Sequence, residues 1–341
     1  LTDIRAVRHG GDDVVVIAEA GVNHNGDVGL AHDLIDVAAD SGADYVKFQT
    51  FIPELLVAPK TAAAPYQRER GAASQSELLT ALALGQDVWP ELQAHAVERE
   101  IGFLSTPFDI ASAEMLVEMG VAALKVSSGE LTNLPFLRSV ASLGVPMLVS
   151  TGMGDAAEVE AAHEASSAAP FLAFFHCVSS YPAPVEQCNL LAIPKLVDLL
   201  RVPVGWSDHT EDADSALVAA SLGARLFEKH FTLDRAMEGP DHAASLEPDQ
   251  LTDYVDRLRS VPVMLGDGVK RRMPAETQNA PLVRRSWHAV RDIPAGHILE
   301  EVDVIALRPE GGVSPAVPLV GAVVKSPIGA GEPIFESALD R

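Results

Sequence analysis

The sequence predicts an α/β fold: a closed (β/α)8 barrel followed by a small β-rich domain. Three observations carry this. Eight short apolar runs of strand type come before residue 235, with helical patterns of 3.6-residue period between them. Each run ends in polar or ionisable residues, as the strands of barrel enzymes do at their C-terminal mouth. After about residue 262 the texture changes, first to Gly, Pro and basic residues and then to short β-type runs.

In order, the predicted strands are Val14–Ala18, Asp44–Phe48, Gly102–Ser105, Ala123–Val126, Pro146–Ser150, Leu172–His176, Val202–Gly205 and Arg225–Glu228. Helical patterns include Leu30–Ala39, Ala111–Met119, Leu134–Leu143, Ala157–Ala165, Ile193–Leu200 and Ser215–Ser221. Gly42, Gly102, Gly120, Gly144, Pro203 and Gly223 stand before strands and read as helix stops and turns. Repeated β-then-α units imply a parallel sheet, and eight of them favour closure. No GxGxxG follows the first strand, which weakens a dinucleotide-binding reading. The predicted domains are a barrel over 1–265, a linker over 266–281 and a β-rich domain over 282–341. Turns are expected in the last at Pro294-Ala295-Gly296 and Gly329-Ala330-Gly331.

Composition narrows the function. The chain has 341 residues, 48% of them hydrophobic, which is ample for a large core. A net charge of −23 argues against a nucleic-acid or membrane partner, yet allows an anionic small substrate in a locally basic site. The polar start reads as no signal peptide, and no apolar run reaches the length of a membrane helix, so a cytoplasmic enzyme is expected. Cys177 and Cys188 are too few for a disulfide framework, and Cys177 reads as a buried, inert thiol.

The strand ends are AEAGVNH, VKFQT, STPFD, KVSSGE, VSTGMG, HCVSSYPAP, GWSDHT and EKHFTLDR. His209 and His230 follow adjacent strands. They read either as a pair for a divalent metal, with a carboxylate such as Glu19 as third ligand, or as two unrelated rim histidines. His24 sits in an NHNG turn, and His176 reads as a core histidine. Strand alternation points Lys47 and Gln49 the same way. It sends Lys229 outward if His230 points inward, so Lys47 and Lys125 are the candidate anion ligands. Ser128, Ser150, Ser207 and Thr106 add hydroxyl donors. Glu130 and Asp241 are candidate acid–base or hydroxyl-binding carboxylates.

These motifs, with GPDHAASLEP, resemble the sialic acid synthases, the phosphoenolpyruvate-dependent nonulosonate synthases. The tail RRSWHAVRDIPAGHILEEVDVIALRPEGGVSP resembles their C-terminal antifreeze-like domain. The resemblance implies a TIM barrel joined to a β-clip (SAF) domain, in a homodimer where that domain caps the partner's barrel. It implies condensation of phosphoenolpyruvate with an N-acetylhexosamine and water, giving a nonulosonic acid and phosphate. His209 and His230 would hold Mn2+ or Mg2+. Glu19, with Glu130 as second choice, would handle the water. Lys47, Thr106, Lys125, Ser128, Ser150, Ser179 and Ser207 would bind phosphoenolpyruvate. Gln49, Tyr181 and Asp241 would line the sugar side, and Arg308 would reach the partner's sugar site.

The chain departs from the family pattern at Ser179, where some members have Asn, and at Glu310, which adds a charge near Arg308. It also departs in the Ala-rich loop Thr61–Ser76, and His176 before Cys177 leans away from the pseudaminate branch. The competing readings are a related phosphoenolpyruvate-dependent synthase using another aldose, and a non-catalytic sugar-binding antifreeze-like protein. Retention of Glu19, Lys47, His209 and His230 argues against the second.

Overall fold

The computed structural model describes residues 3–58, 61 and 75–341. It divides into two compact units, Leu1–Gly266 and Asp267–Arg341. The first is a closed parallel barrel with strands in sequence order. The strands are β1 Val15–Gly21, β2 Tyr45–Thr50, β3 Gly102–Pro107, β4 Leu124–Val126, β5 Met147–Ser150, β6 Leu172–Cys177, β7 Val204–Asp208 and β8 Leu226–His230. Several run two or three residues beyond the apolar stretch, so their polar ends are part of the sheet. Backbone pairing, not side-chain polarity, decides where a strand stops.

Alternation gives the barrel two apolar layers. Inward residues near the N-terminal end form one cluster: Val15, Ile17, Leu104, Leu148, Phe175 and Leu226, sealed below by Ile4 and Val7. Outward residues such as Val16, Val46, Phe48 and Phe174 pack under the helices in a larger cluster. Along β1 the inward series runs Val15, Ile17, Glu19, from apolar floor to polar mouth. β1 is irregular between Glu19 and Gly21, a local break next to the site.

Helices follow the expected pattern, and their starts are chemically fixed. The Asp27 side chain accepts from Leu30 N at 3.0 Å, and Asp155 forms a reciprocal capping box with Glu158. One expectation is corrected. Gly42, Gly120, Gly144 and Gly223 have the left-handed φ of a helix stop, but Gly102 does not. The left-handed residue there is Glu100, at φ 57°. Gly102 opens β3, where a Cβ would run into the Tyr45 ring. Most of the Thr61–Ser76 loop lies outside the described residues.

The second unit holds two antiparallel pairs, β9 Ser286–Ala289 with β10 Val304–Leu307 and β11 Val323–Val324 with β12 Leu339–Asp340. Ala289, Ile293, Leu299, Val324, Ile334 and Leu339 belong to its core. Asp303 is buried beside them, accepting from Arg291 Nε at 2.8 Å, His297 Nε2 at 2.7 Å and Glu300 N at 2.9 Å. Both predicted turns carry a left-handed glycine, Gly296 and Gly331.

Candidate active site

Inward-facing polar residues from seven strands meet in one buried network at the C-terminal mouth. Lys47 Nζ lies 2.7 Å from Glu19 Oε2 and 3.7 Å from Glu228 Oε2, and donates to Thr106 Oγ1 at 2.8 Å. Lys125 Nζ lies 3.1 Å from Glu228 Oε1 and donates to Ser150 Oγ at 2.8 Å. Gln49 Nε2 donates to Glu19 Oε1 at 3.1 Å, and Ser207 Oγ to Glu228 Oε1 at 3.1 Å. The four charged side chains are nearly devoid of solvent.

Burial and charge oppose each other here. Burial pushes the Glu228 carboxyl up, but Lys125 and Lys47 outweigh it and hold it down to about 2. Burial raises Glu19, and Glu228 adds to the effect against the opposing Lys47. Burial lowers Lys125, whereas for Lys47 the two carboxylates overcome burial and raise it. Of the two carboxyls Glu228 is thus the one held ionised, and Glu19 the one whose protonated form burial favours.

His209 and His230 stand side by side with ring centroids 5.8 Å apart, and Tyr181 lies 4.2 Å from the His209 ring and 5.6 Å from that of His230. Burial, then the neighbouring His230, lowers His209 to about 3, so its ring is neutral. His209 Nδ1 donates to the Val178 carbonyl at 2.6 Å, which leaves Nε2 unprotonated. The Ser207 hydroxyl, 3.3 Å from that nitrogen, donates its hydrogen bond to Glu228 Oε1. His230 Nδ1 is buried without a hydrogen-bond partner, 4.0 Å from Asp241 Oδ2. Two neutral imidazoles with available lone pairs suit a divalent ion. Glu19 is turned to Lys47 and Gln49, and among the described residues no set of three His, Cys, Asp or Glu side chains is arranged to hold a metal.

A second nook forms where β4, β5 and β6 end. Gly152 N donates to Ser128 Oγ at 3.0 Å, and Ser128 Oγ lies 3.3 Å from Cys177 Sγ. A Cβ on Gly152 would collide with Ser179 Oγ and lie 2.7 Å from Ser128 Oγ. Burial raises the Cys177 thiol, so it stays protonated.

The structure thus brings Glu19, Lys47, Gln49, Thr106, Lys125, Ser150, Ser207 and His209 into one linked network. Tyr181, His230 and Asp241 stand beside it, and Ser128 and Ser179 line the nook. Glu130 stands apart, its Oε2 accepting from Asn133 Nδ2 at 2.7 Å. Arg308 is an exposed residue of the second unit. There Glu310 is met by Arg284 at 3.4 Å and Arg272 at 4.0 Å. Lys229 faces outward, His24 Nδ1 accepts from Gly26 N within its turn at 3.1 Å, and His176 Nε2 donates to the Cys188 carbonyl at 2.8 Å. Glu228 is the residue that sequence reasoning missed, although the alternation that turns His230 inward turns Glu228 inward too. Asn23, in the polar stretch after the first strand, has a structural part: its Nδ2 ties β1 to the β8 loop through Phe231 O at 2.7 Å and Ser245 Oγ at 3.0 Å.

Fold and mouth together define a (β/α)8-barrel enzyme with a buried, charged cluster at the C-terminal ends of its strands. The chain belongs to the NeuB family, whose model matches residues 34–270, and a SAF domain follows at 284–340. It is 43% identical over 306 residues to an N,N'-diacetyllegionaminic acid synthase of Campylobacter jejuni, covering 88% of this chain and 92% of that protein. It is 34% identical to an N-acetylneuraminate-9-phosphate synthase of Mus musculus, covering 86% of this chain and 82% of the relative. A crystal structure of an N-acetylneuraminic acid synthetase from Leptospira borgpetersenii, in complex with citrate, matches with a TM-score of 0.72 at 33% identity, covering 80% of this chain and 93% of that one.

Proposed function

We propose that this protein condenses phosphoenolpyruvate with the open-chain aldehyde of an acetamido sugar, N-acetylmannosamine or a relative, and water, giving a nonulosonic acid and phosphate. The observation that carries the reading is the buried Lys47–Glu228–Lys125 arrangement beside the two neutral histidines. Two buried ammonium groups offer a small anion strong, preorganised attraction in a dry site. Two relatives, named as an N,N'-diacetyllegionaminic acid synthase and an N-acetylneuraminate-9-phosphate synthase, support the substrate class.

In this reading Lys47 and Lys125 bind the carboxylate and phosphate of phosphoenolpyruvate, and Thr106, Ser128, Ser150, Ser179 and Ser207 donate to their oxygens. Gln49, Tyr181 and Asp241 line the sugar side, with Arg308 supplied by the partner's SAF domain in a homodimer. His209 and His230 would hold Mn2+ or Mg2+, which supplies Lewis acidity to the sugar carbonyl. Carbon 3 of phosphoenolpyruvate attacks that carbonyl carbon and forms the new C–C bond; the carbonyl π pair moves to its oxygen, which takes a proton, and carbon 2 is left oxocarbenium-like. Water adds to carbon 2, with its proton passing to Glu19, the carboxyl that burial has raised. The tetrahedral centre then expels phosphate with C–O cleavage and leaves a keto group. Glu130 is the second candidate for the water and is the weaker one, because its Oε2 already accepts from Asn133.

The test is phosphate release from phosphoenolpyruvate in the presence of Mn2+ and a panel of acetamido hexoses, with product mass as readout. Release dependent on one sugar is expected. A folded protein that releases none with any sugar would refute the reading.

A further inference from the structure

We propose that Asp208, Lys229 and Tyr254 form a brace on the outer face of the barrel that sets the spacing of His209 and His230. The inference rests on the proposed reading of those histidines as metal ligands. Asp208 and Lys229 are register partners across β7 and β8. Alternation turns both away from the mouth, into the layer beneath the helices Asp214–Ser221 and Pro248–Leu265. Lys229 Nζ lies 3.3 Å from Asp208 Oδ2, with side-chain exposures of 1% and 0%. Nζ also donates to the carbonyls of Thr210 and Asp212 and lies 5.7 Å from the centre of the Tyr254 ring, whose hydroxyl feels Asp208: burial, then that carboxylate, pushes it well up. Asp208 Oδ1 accepts from Thr210 N at 2.9 Å and Thr210 Oγ1 at 2.7 Å. Thr210 Oγ1 meets Ser215 Oγ at 3.0 Å, and that hydroxyl accepts from Trp206 Nε1 at 3.1 Å.

Taking two charges out of water is costly, and an apolar pair of similar volume would hold the strands together at less cost. What the ion pair adds is direction. Its partners are fixed carbonyls and amides, so it admits one register and one heading for each strand end. His209 lies between Asp208 and Thr210, both members of the network, and His230 follows Lys229 directly. On the inner face the neighbouring rung is Ser207–Glu228, at 3.1 Å. Each imidazole therefore projects from a strand pinned on both faces. Partners behind a metal ligand commonly carry about 10- to 100-fold of its affinity.

The test compares full-length wild type with Lys229→Met, Asp208→Asn/Lys229→Met and Tyr254→Phe. Free Mn2+ is followed by electron paramagnetic resonance, Tm by calorimetry, and the His209 Nδ1 proton by NMR of nitrogen-labelled imidazoles in metal-free protein. Lys229→Met is expected to lower Tm, because it strands a buried carboxylate. The double variant recovers most of that loss, yet binds Mn2+ about 10- to 100-fold more weakly than wild type and shows a displaced His209 proton. Tyr254→Phe shifts the same proton in the same direction by less, and decides the matter if the double variant does not fold. Recovery of both Mn2+ affinity and the proton position in the double variant, or an unmoved proton in Tyr254→Phe where the double does not fold, reduces the trio to packing and overturns the proposal. If wild type binds no Mn2+, the metal reading fails, and the His209 proton alone decides the brace.

Discussion

Glu228 faces two ammonium groups with one carboxylate, and each of its oxygens is assigned to a different lysine. Removing that charge leaves Lys47 with Glu19 alone and Lys125 with hydroxyl partners. Glu228→Gln should therefore destabilise the fold by about 3–5 kcal/mol, the usual cost of breaking a buried pair, as read from urea unfolding. A loss under about 1 kcal/mol would mean that water reaches the pair. His209 makes a pH prediction. Its folded value of about 3 lies below the ordinary histidine value of about 6.5, so the unfolded chain binds the proton first as pH falls. Its stabilising contribution is complete above about 6.5 and drains away towards about 3. The raised carboxyl of Glu19 works in the opposite sense, gaining stability as pH falls. In metal-free protein, His209→Ala should flatten the drop in urea midpoint between about pH 7 and pH 5. An unchanged drop would contradict a buried neutral imidazole.

At the scale of elements, each strand is divided between a floor and a mouth. β1 places Val15 and Ile17 in the inner core and Glu19 in the charged network, and this period-two division was legible in the residues. The strand C-termini were harder to read, because Glu19, Gln49, Ser207 and His230 lie within strands whose pairing continues through polar side chains. Glu228 is hard to read for a related reason: it is the last residue of the eighth apolar run, and its inward heading follows only from that of His230 two residues on. The Gly152 nook had no sequence signal, because only the fold brings β4, β5 and β6 ends together. Gly152→Ala should raise the KM for phosphoenolpyruvate strongly and lower Tm only slightly, since the added carbon meets first the Ser179 and Ser128 hydroxyls, which can turn away, and then the buried Cys177 Sγ at 3.1 Å. Unaltered kinetics would exclude that nook from the anion site.

At the scale of the molecule, the small unit was visible in the sequence as a change of texture, and its two turns fell where glycine permits them. How Arg308 serves a barrel was not legible in the residues, because that depends on assembly. If it serves the partner's barrel, two crippled variants should complement each other. Glu19→Gln spoils a barrel and Arg308→Ala spoils a cap. Random mixing makes about half of all dimers mixed, each with one intact site, so about a quarter of wild-type activity should return. No recovery after verified subunit exchange would place Arg308 on its own barrel. Arg308→Ala alone should raise the sugar KM more than that for phosphoenolpyruvate.

The central claim is that phosphate leaves by cleavage of its bond to carbon 2, after water has added there. The most direct measurement follows heavy oxygen placed in the bridge between carbon 2 and phosphorus of phosphoenolpyruvate, in a reaction with the accepted acetamido sugar. The account predicts that the label departs entirely with inorganic phosphate and that the new keto oxygen comes from solvent water. Retention of the label in the nonulosonic acid would mean that the P–O bond breaks, and would contradict the role assigned to Glu19 and the mouth it shares with Lys47.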